Sequence, residues 1–369
     1  MHKKRARLDS VLALILAALV IGGGLLFVSA AFGLMARGSL NTSSVFLSHI
    51  GLGMGAGLVA LLVGAFLDYR IWRLLAPYLF GIALILTLLV FIPGIGFEHG
   101  GARRWIHIAG VSLQPSEVLK LAVLMIGAGY FAAIKQRAAT TQWGLGGFLA
   151  LLALPALILV AQPDIGTLGV ISVSLFSIYW IAGARLRDVA LLGIIGAIAF
   201  SAVFFTKPYI RDRISTFLDP SQGQHAESYQ IRQSLIAIGS GQITGRGFGQ
   251  GIQKFTYLPE PMGDSIFAVA GEELGFVGAT GIVLLFLAFG LRGFHVATKA
   301  ADHFGMYLAV GIASYLTIEA FINMAAMLGM MPLTGIPLTF MSQGGSAMLM
   351  SLAAAGVLLG ISRGRKRVA

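Results

Sequence analysis

Four places in the chain put charged side chains at the ends of, or inside, long apolar runs. Glu117 and Lys120 stand three residues apart at the start of one run, so a helix would point both to one face. Asp164 lies in Gln162-Pro163-Asp164-Ile165-Gly166-Thr167 at the head of another. Asp264, Glu272 and Glu273 open a third, and Glu319 lies within a fourth. Charge in a membrane span is costly, which makes each a functional candidate. Arg103 and Arg104, in Gly101-Ala102-Arg103-Arg104-Trp105-Ile106, add cations that can hold phosphate. A desolvated aspartate such as Asp264 can take a proton from a sugar hydroxyl. The glycine-rich stretch from Gly239 to Gly249 adds backbone amides. Together these groups suit an anionic, lipid-linked substrate.

Each group has a structural alternative. Glu117 and Lys120 can form an intrahelical pair. Asp164 and Asp264 can cap the helices that follow them. Glu272 and Glu273 can be a buried polar pair, and Glu319 can pair across helices. Arg103 and Arg104 can bind lipid headgroups. The glycines do not fit a Walker spacing, and tight turns account for them.

The elements that position these groups follow from composition. Of 369 residues, 57% are apolar and 11% charged, against roughly 25% charged in ordinary soluble domains. This excludes a soluble globular protein, a disordered chain and a disulfide scaffold; there is no cysteine. The sequence predicts an all-α, polytopic integral membrane protein in one domain, 1–369. Ten transmembrane helices are expected at 10–33, 45–67, 74–92, 116–134, 143–162, 164–182, 188–206, 264–291, 304–326 and 345–362. The 27-residue uncharged run behind Lys3, Lys4, Arg5 and Arg7 reads as an uncleaved first span. One set of connections, including both termini, holds sixteen cations, and the alternate short loops hold three. That set is expected to be cytoplasmic. Glu117, Lys120, Asp164, Asp264, Arg103 and Arg104 then all lie near the outer face. The 207–263 connection is a large extracytoplasmic loop between spans seven and eight. Its charges, aromatics and apolar stretches predict a packed cap. The net charge of +11 sits mostly at span edges, so it reads as membrane orientation and not nucleic-acid binding. No GxSxG, HExxH or GxxxxGK[ST] occurs, and the histidines lack metal-ligand spacing.

Several ordered motifs carry a resemblance. They are Arg104-Trp105-Ile106, Gln114-Pro115-Ser116-Glu117 with Lys120-Leu121-Ala122, and the Gln162–Thr167 run. Then come Tyr229-Gln230, Gln233-Ser234, Ala237–Gly241, and Gln253-Lys254 with Tyr257-Leu258-Pro259-Glu260. Asp264–Val269, Gly271-Glu272-Glu273-Leu274-Gly275, Pro332–Pro337 and Ser342–Ser346 complete the series. The chain resembles, over nearly its whole length, the SEDS family of shape, elongation, division and sporulation proteins of bacteria. The resemblance implies a peptidoglycan glycosyltransferase in the bacterial cytoplasmic membrane. It would polymerise lipid II, an undecaprenyl-diphosphate disaccharide-pentapeptide, with inversion at the anomeric carbon. It puts the catalytic aspartate at Asp264, as base for the acceptor 4-hydroxyl, with Lys120 and Glu117 as further catalytic residues. Arg104, Arg103, Asp164, Glu260, Gln233 and Lys254 fall among the substrate-binding residues. Implied partners are a class B penicillin-binding protein transpeptidase, divisome membrane proteins and the lipid bilayer. A divalent cation, Mg or Mn, would suit a diphosphate, and no other cofactor is implied.

The Gln253–Glu260 and Gly271–Gly275 runs are similar to division members, while Pro332–Pro337 leans toward elongation members. The chain departs from the family pattern at Met262-Gly263, at Ser265 and at Gln343. A lipid II flippase and a non-catalytic division scaffold stand as alternatives to the polymerase.

Overall fold

The computed structural model describes residues 8–36, 38, 46–99, 102–108, 111–218 and 226–364. Lys3, Lys4, Arg5, Arg7, Gly101, Asp219, Arg365, Lys366 and Arg367 lie outside the described residues. The membrane-crossing helices are α1 (Ser10–Ala36), α2 (Ser48–Phe66), α3 (Arg70–Leu89), α4 (Pro115–Ile134) and α5 (Gly146–Ala161). They continue with α6 (Ile165–Gly183), α7 (Leu186–Thr206), α11 (Ile266–Thr298), α12 (His303–Met327) and α13 (Gly345–Arg363). Between α7 and α11 lie α8 (Pro208–Leu218), α9 (Ala226–Ser240) and the single turn α10 (Gln253–Thr256). Among the described residues, ten helices are therefore long and apolar enough to cross a membrane, as expected from the sequence.

The helices α4, α12 and α13 form the middle of the bundle, with most of their apolar length buried. Helix α7 is peripheral: none of its apolar stretch is buried. It is fastened at its start by Asp188, whose carboxylate accepts hydrogen bonds from Thr141 Oγ1 (2.8 Å) and Tyr179 Oη (3.1 Å).

Two differences from the sequence reading bear on the site. First, the 93–115 connection holds strands β1 (Gly96–His99), β2 (Ala102–Ile108) and β3 (Val111–Leu113), in an antiparallel sheet ordered β1-β2-β3. The all-α expectation omitted this sheet because its strands are too short to give a clear period. Alternation along β2 sends Arg103 outward and puts Arg104 on the same face as buried Ala102 and Ile106. Second, the eighth span begins at Ile266 and runs to Thr298, so Asp264 precedes the helix.

That helix is also broken. Gly275 has φ 67° and ψ −166°, which separates the turn at Glu272 and Glu273 from the turn at Phe276 and Val277. The opened backbone groups cannot stay unpaired in a bilayer. The 242–247 segment inserts and replaces each lost bond. Arg246 N–H donates to Glu272 O and Gly247 N–H to Glu273 O, both at 3.0 Å. Gln242 O accepts from Phe276 N–H (2.8 Å) and Ile243 O from Val277 N–H (3.1 Å).

A Cβ at position 275 would collide with the backbone of Ile243 and Gly245. Gly275→Ala is therefore expected to lose about 1–3 kcal/mol from backbone strain alone, before any clash. The thermal unfolding midpoint of the detergent-purified protein would report it as a clear drop.

Candidate functional site

The first turns of α4, α6, α11 and α13 meet at one end of the bundle. Pro115 starts α4, where its missing N–H leaves nothing unsatisfied. Ser116 Oγ donates to Asp164 Oδ2 at 3.3 Å, joining α4 to α6. Gln114 N–H donates to Ser346 Oγ at 3.1 Å, joining α4 to α13. Gln343 N–H donates to Met262 O (2.6 Å) and Ser342 Oγ to Gly263 O (2.8 Å), joining α13 to the loop before α11. Converging helix N-termini favour an anion.

Asp264 sits in that loop. The expectation that it caps α11 fails: Ser265 occupies the cap position, and no side chain caps it. Asn323 Nδ2 instead holds the Asp264 carbonyl at 2.9 Å. The Asp264 side chain is part-exposed, with its carboxylate closely surrounded by protein. Burial raises its pKa from 3.8 to about 6, and the negative charge of Glu260 adds to the rise. Arg213 and Arg104 oppose it. Glu260 is exposed and takes a left-handed backbone, φ 44°. Its carboxylate folds over Gly263, where a Cβ would stand 3.2 Å from Oε2.

Asp164 does cap α6, accepting from Thr167 N–H at 3.4 Å. It also faces Arg104, Nη1 to Oδ1 3.9 Å, with the Asp164 side chain 4% and Arg104 17% exposed. Arg104 further donates to Gln162 O at 3.4 Å and to Pro163 O. Beside them Tyr209, at the start of α8, has a buried hydroxyl with no hydrogen-bond partner among the described residues. Arg213 pairs with Glu227 across α8 and α9 at 3.0 Å.

Lys120 lies deeper. Its ammonium pairs with Glu117 Oε2 at 2.9 Å and with Glu319 Oε1, and stands 5.0 Å from the centre of the Tyr315 ring. The three charged side chains are at most 3% exposed. Glu319 thus pairs across helices, as expected, and its partner is the candidate catalytic lysine. Lys120 is therefore buried, with a carboxylate on α4 and another on α12 as its partners.

Three other candidates fall elsewhere. Lys254 is fully buried: Nζ meets Glu273 Oε1 (2.5 Å), Ser29 Oγ (2.7 Å) and Gly249 O (3.0 Å). It anchors the segment inserted beside α11, a structural role for a residue expected among the substrate-binding ones. Arg103 is exposed and pairs with Glu98 at 3.3 Å on the outer side of the sheet. Gln233 is part-exposed on α9, while Gln230, one turn earlier, reaches Ser265 Oγ at 3.0 Å. The glycine-rich stretch binds the protein's own anions. Gly249 N–H donates to Glu273 (2.9 Å) and Ile252 N–H to Glu272 (2.8 Å), while Arg246 faces Glu272 at 3.6 Å.

Sequence reasoning missed Tyr209, Arg213, Gln230 and Asn323 as site residues. Asn323 carried a readable signal, being a polar residue one helical turn beyond Glu319 in an apolar span. Among the described residues, no group of three or more His, Asp or Glu side chains is placed to hold a metal ion.

The chain belongs to the FtsW/RodA/SpoVE family, whose model, described as "Cell cycle protein", matches residues 10–367. It is similar to Stage V sporulation protein E of Bacillus subtilis (strain 168), 38% identical over 353 residues that cover 96% of each chain. It is also similar to the probable peptidoglycan glycosyltransferase FtsW of Thioalkalivibrio sulfidiphilus, 40% identical over 97% of this chain and 90% of that one. Among solved structures, it matches a chain of a peptidoglycan synthase complex with TM-score 0.76 and 27% identity, covering 98% and 99% of the two chains. The rod shape determining protein RodA of Thermus thermophilus matches with TM-score 0.69 and 26% identity, covering 98% of each chain. The chain is thus a multi-pass membrane protein of this family.

Burial and exposure separate two of the cations. Lys120→Met would leave two buried carboxylates without a cation and is expected to cost about 3–5 kcal/mol. Arg103→Ala removes an exposed pair and is expected to change stability by less than about 0.5 kcal/mol. Thermal unfolding of the two purified variants, side by side, checks both values.

Proposed function

We propose that this chain is a peptidoglycan glycosyltransferase that polymerises lipid II into glycan strands at the outer face of the cytoplasmic membrane. The observation that carries the reading is Asp264 itself. It is a desolvated carboxylate at a convergence of helix N-termini, with the positive charges of Arg104 and Arg213 acting on it. Asp264 takes the proton from the acceptor sugar's 4-hydroxyl. That oxygen attacks the donor's anomeric carbon, and the bond from that carbon to the diphosphate breaks. Charge then develops on the departing undecaprenyl diphosphate. Arg104, Arg213 and the helix N-termini stabilise it. Lys120, held by Glu117 and Glu319, fixes the floor of the site.

A polyprenyl chain needs an apolar berth. A cavity of about 180 Å³, lined almost wholly by apolar groups, lies between α2, α3, α4 and α13. Its lining includes Val118 and Leu121, the sequence neighbours of Glu117 and Lys120. An apolar cavity next to the charged floor supports a berth there for part of the lipid tail.

The uneven distribution of cations in the loops supports an outward-facing site with both termini in the cytoplasm. Similarity to relatives named FtsW, at 37–40% identity, supports a role in division. The sporulation relative in Bacillus subtilis, at 38%, is a second branch that the sequence motifs did not single out. Likeness to a chain of a peptidoglycan synthase complex supports a class B penicillin-binding protein transpeptidase as partner; divisome membrane proteins are a further proposal that rests on the similarity to relatives named FtsW.

The test is polymerisation of labelled lipid II by the purified chain, with and without a cognate transpeptidase, products being resolved by gel. Wild type is expected to give glycan ladders, and Asp264→Asn to lose at least about 100-fold. Equal ladders from both would remove Asp264 from the chemistry. No ladder from either would favour a lipid II flippase or a scaffold. The base must be ionised, so activity should rise with pH through an acid limb near pH 6, the raised pKa of Asp264. A limb near pH 4 would mean that the aspartate is not desolvated in the working enzyme.

A further inference from the structure

Helix α12 carries a polar stripe through an otherwise apolar core: Tyr315, Glu319 and Asn323, each four residues apart and all buried. Four residues are about one helical turn, or roughly 6 Å. Glu319 holds Lys120. One turn on, Asn323 Nδ2 donates to two carbonyls, Asp264 O at 2.9 Å and Ile336 O at 2.8 Å. These belong to the two loops that face each other across the Asp264 carboxylate. Gly335 marks the second loop, where a Cβ would stand 3.8 Å from Asp264 Oδ2.

The bond to Asp264 completes a clamp. Three successive carbonyls, those of Met262, Gly263 and Asp264, accept in turn from Gln343 N–H, Ser342 Oγ and Asn323 Nδ2. Only the Asn323 donor comes from α12, and it is the one on the aspartate's own peptide unit. Asn323 is 1% exposed.

We propose that Asn323 is the positioning residue for Asp264, and that α12 sets the spacing between the catalytic carboxylate and the Glu117–Lys120–Glu319 floor. This rests on the polymerase reading above. Asn323 touches no substrate; it aims the loop that does. Misaiming a catalytic group by about 1 Å can cost on the order of 100-fold. Release of the loop would also let water reach the carboxylate. The charged groups that act on Asp264 are Glu260 on its own loop, Arg213 on α8 and Arg104 on β2, and none of these is held by Asn323. The other side chains that hydrogen-bond to this loop, Gln230 from α9 and Ser342 from the segment before α13, are uncharged. Loss of the clamp therefore acts through desolvation, and less desolvation lowers the pKa of a carboxylate.

The experiment compares wild type, Asn323→Ala and Asn323→Leu in lipid II polymerisation across pH 4.5–8, with thermal unfolding on the same samples. Alanine leaves space for water, and leucine fills the site without a donor. The expected result is a kcat lower by about 10–100-fold, KM within about threefold, and an acid limb moved from near pH 6 toward the ordinary carboxylate value. Wild-type kcat and limb in either folded variant would overturn the proposal. So would lost activity with an unmoved limb, or failure of both variants to fold, since each would make Asn323 a residue of general stability. Inactive wild type would instead count against the polymerase reading, which keeps the two failures apart.

Discussion

Two adjacent carboxylates, Glu272 and Glu273, are fully buried inside a membrane-spanning helix, and the chain is arranged so that they are never bare. Amides of Gly249, Ile252 and Gln253, the ammonium of Lys254, the guanidinium of Arg246 and the hydroxyl of Ser29 all turn toward them. The same segment repairs the backbone opened at Gly275. A helix can break in the bilayer only where protein replaces its lost hydrogen bonds. This single insertion joins α1, α10 and the first turns of α11. It therefore fixes where α11 starts and where the loop carrying Asp264 must lie.

From that fixed start the site is built in two layers. The outer layer is Asp264, Arg104 and Arg213, which are part-exposed, together with the buried Asp164 and the buried hydroxyl of Tyr209. The inner layer is Glu117, Lys120 and Glu319, sealed within α4 and α12. In the proposed function the outer layer meets the substrate, while the inner one joins α4 to α12. Buried ion pairs add little stability against an apolar core, yet removing one partner is severe. A charged floor of this kind therefore serves position more than stability.

The departures from the family pattern have physical readings here. Gln343 acts through its backbone N–H on Met262 O, so this contact does not depend on the side chain at 343. Gly263 leaves room for the Glu260 carboxylate, whose charge helps to raise the pKa of Asp264. Ser265 accepts from Gln230 and ties α9 to the loop. Met262 is buried in the apolar core below.

The ten helices were legible in the sequence because a span must satisfy its own backbone bonds with a long apolar run, which is a local property. Asp264, Arg104, Asp164 and Glu117–Lys120 were legible for a related reason: charge at the edge of such a run stands out. The β-sheet was not, because seven residues of alternation are a weak signal. Tertiary structure alone decided which of two adjacent arginines faces the site, since that depends on the phase of β2 against the core. It alone placed Lys254 and the glycine-rich stretch around Glu272 and Glu273, because opposite charges 19 residues apart meet only when the chain folds back. It alone also gave Asn323 its two carbonyl partners. A hydrogen bond between a side chain and a distant backbone group leaves no pattern in sequence, because every residue but proline offers the same backbone groups.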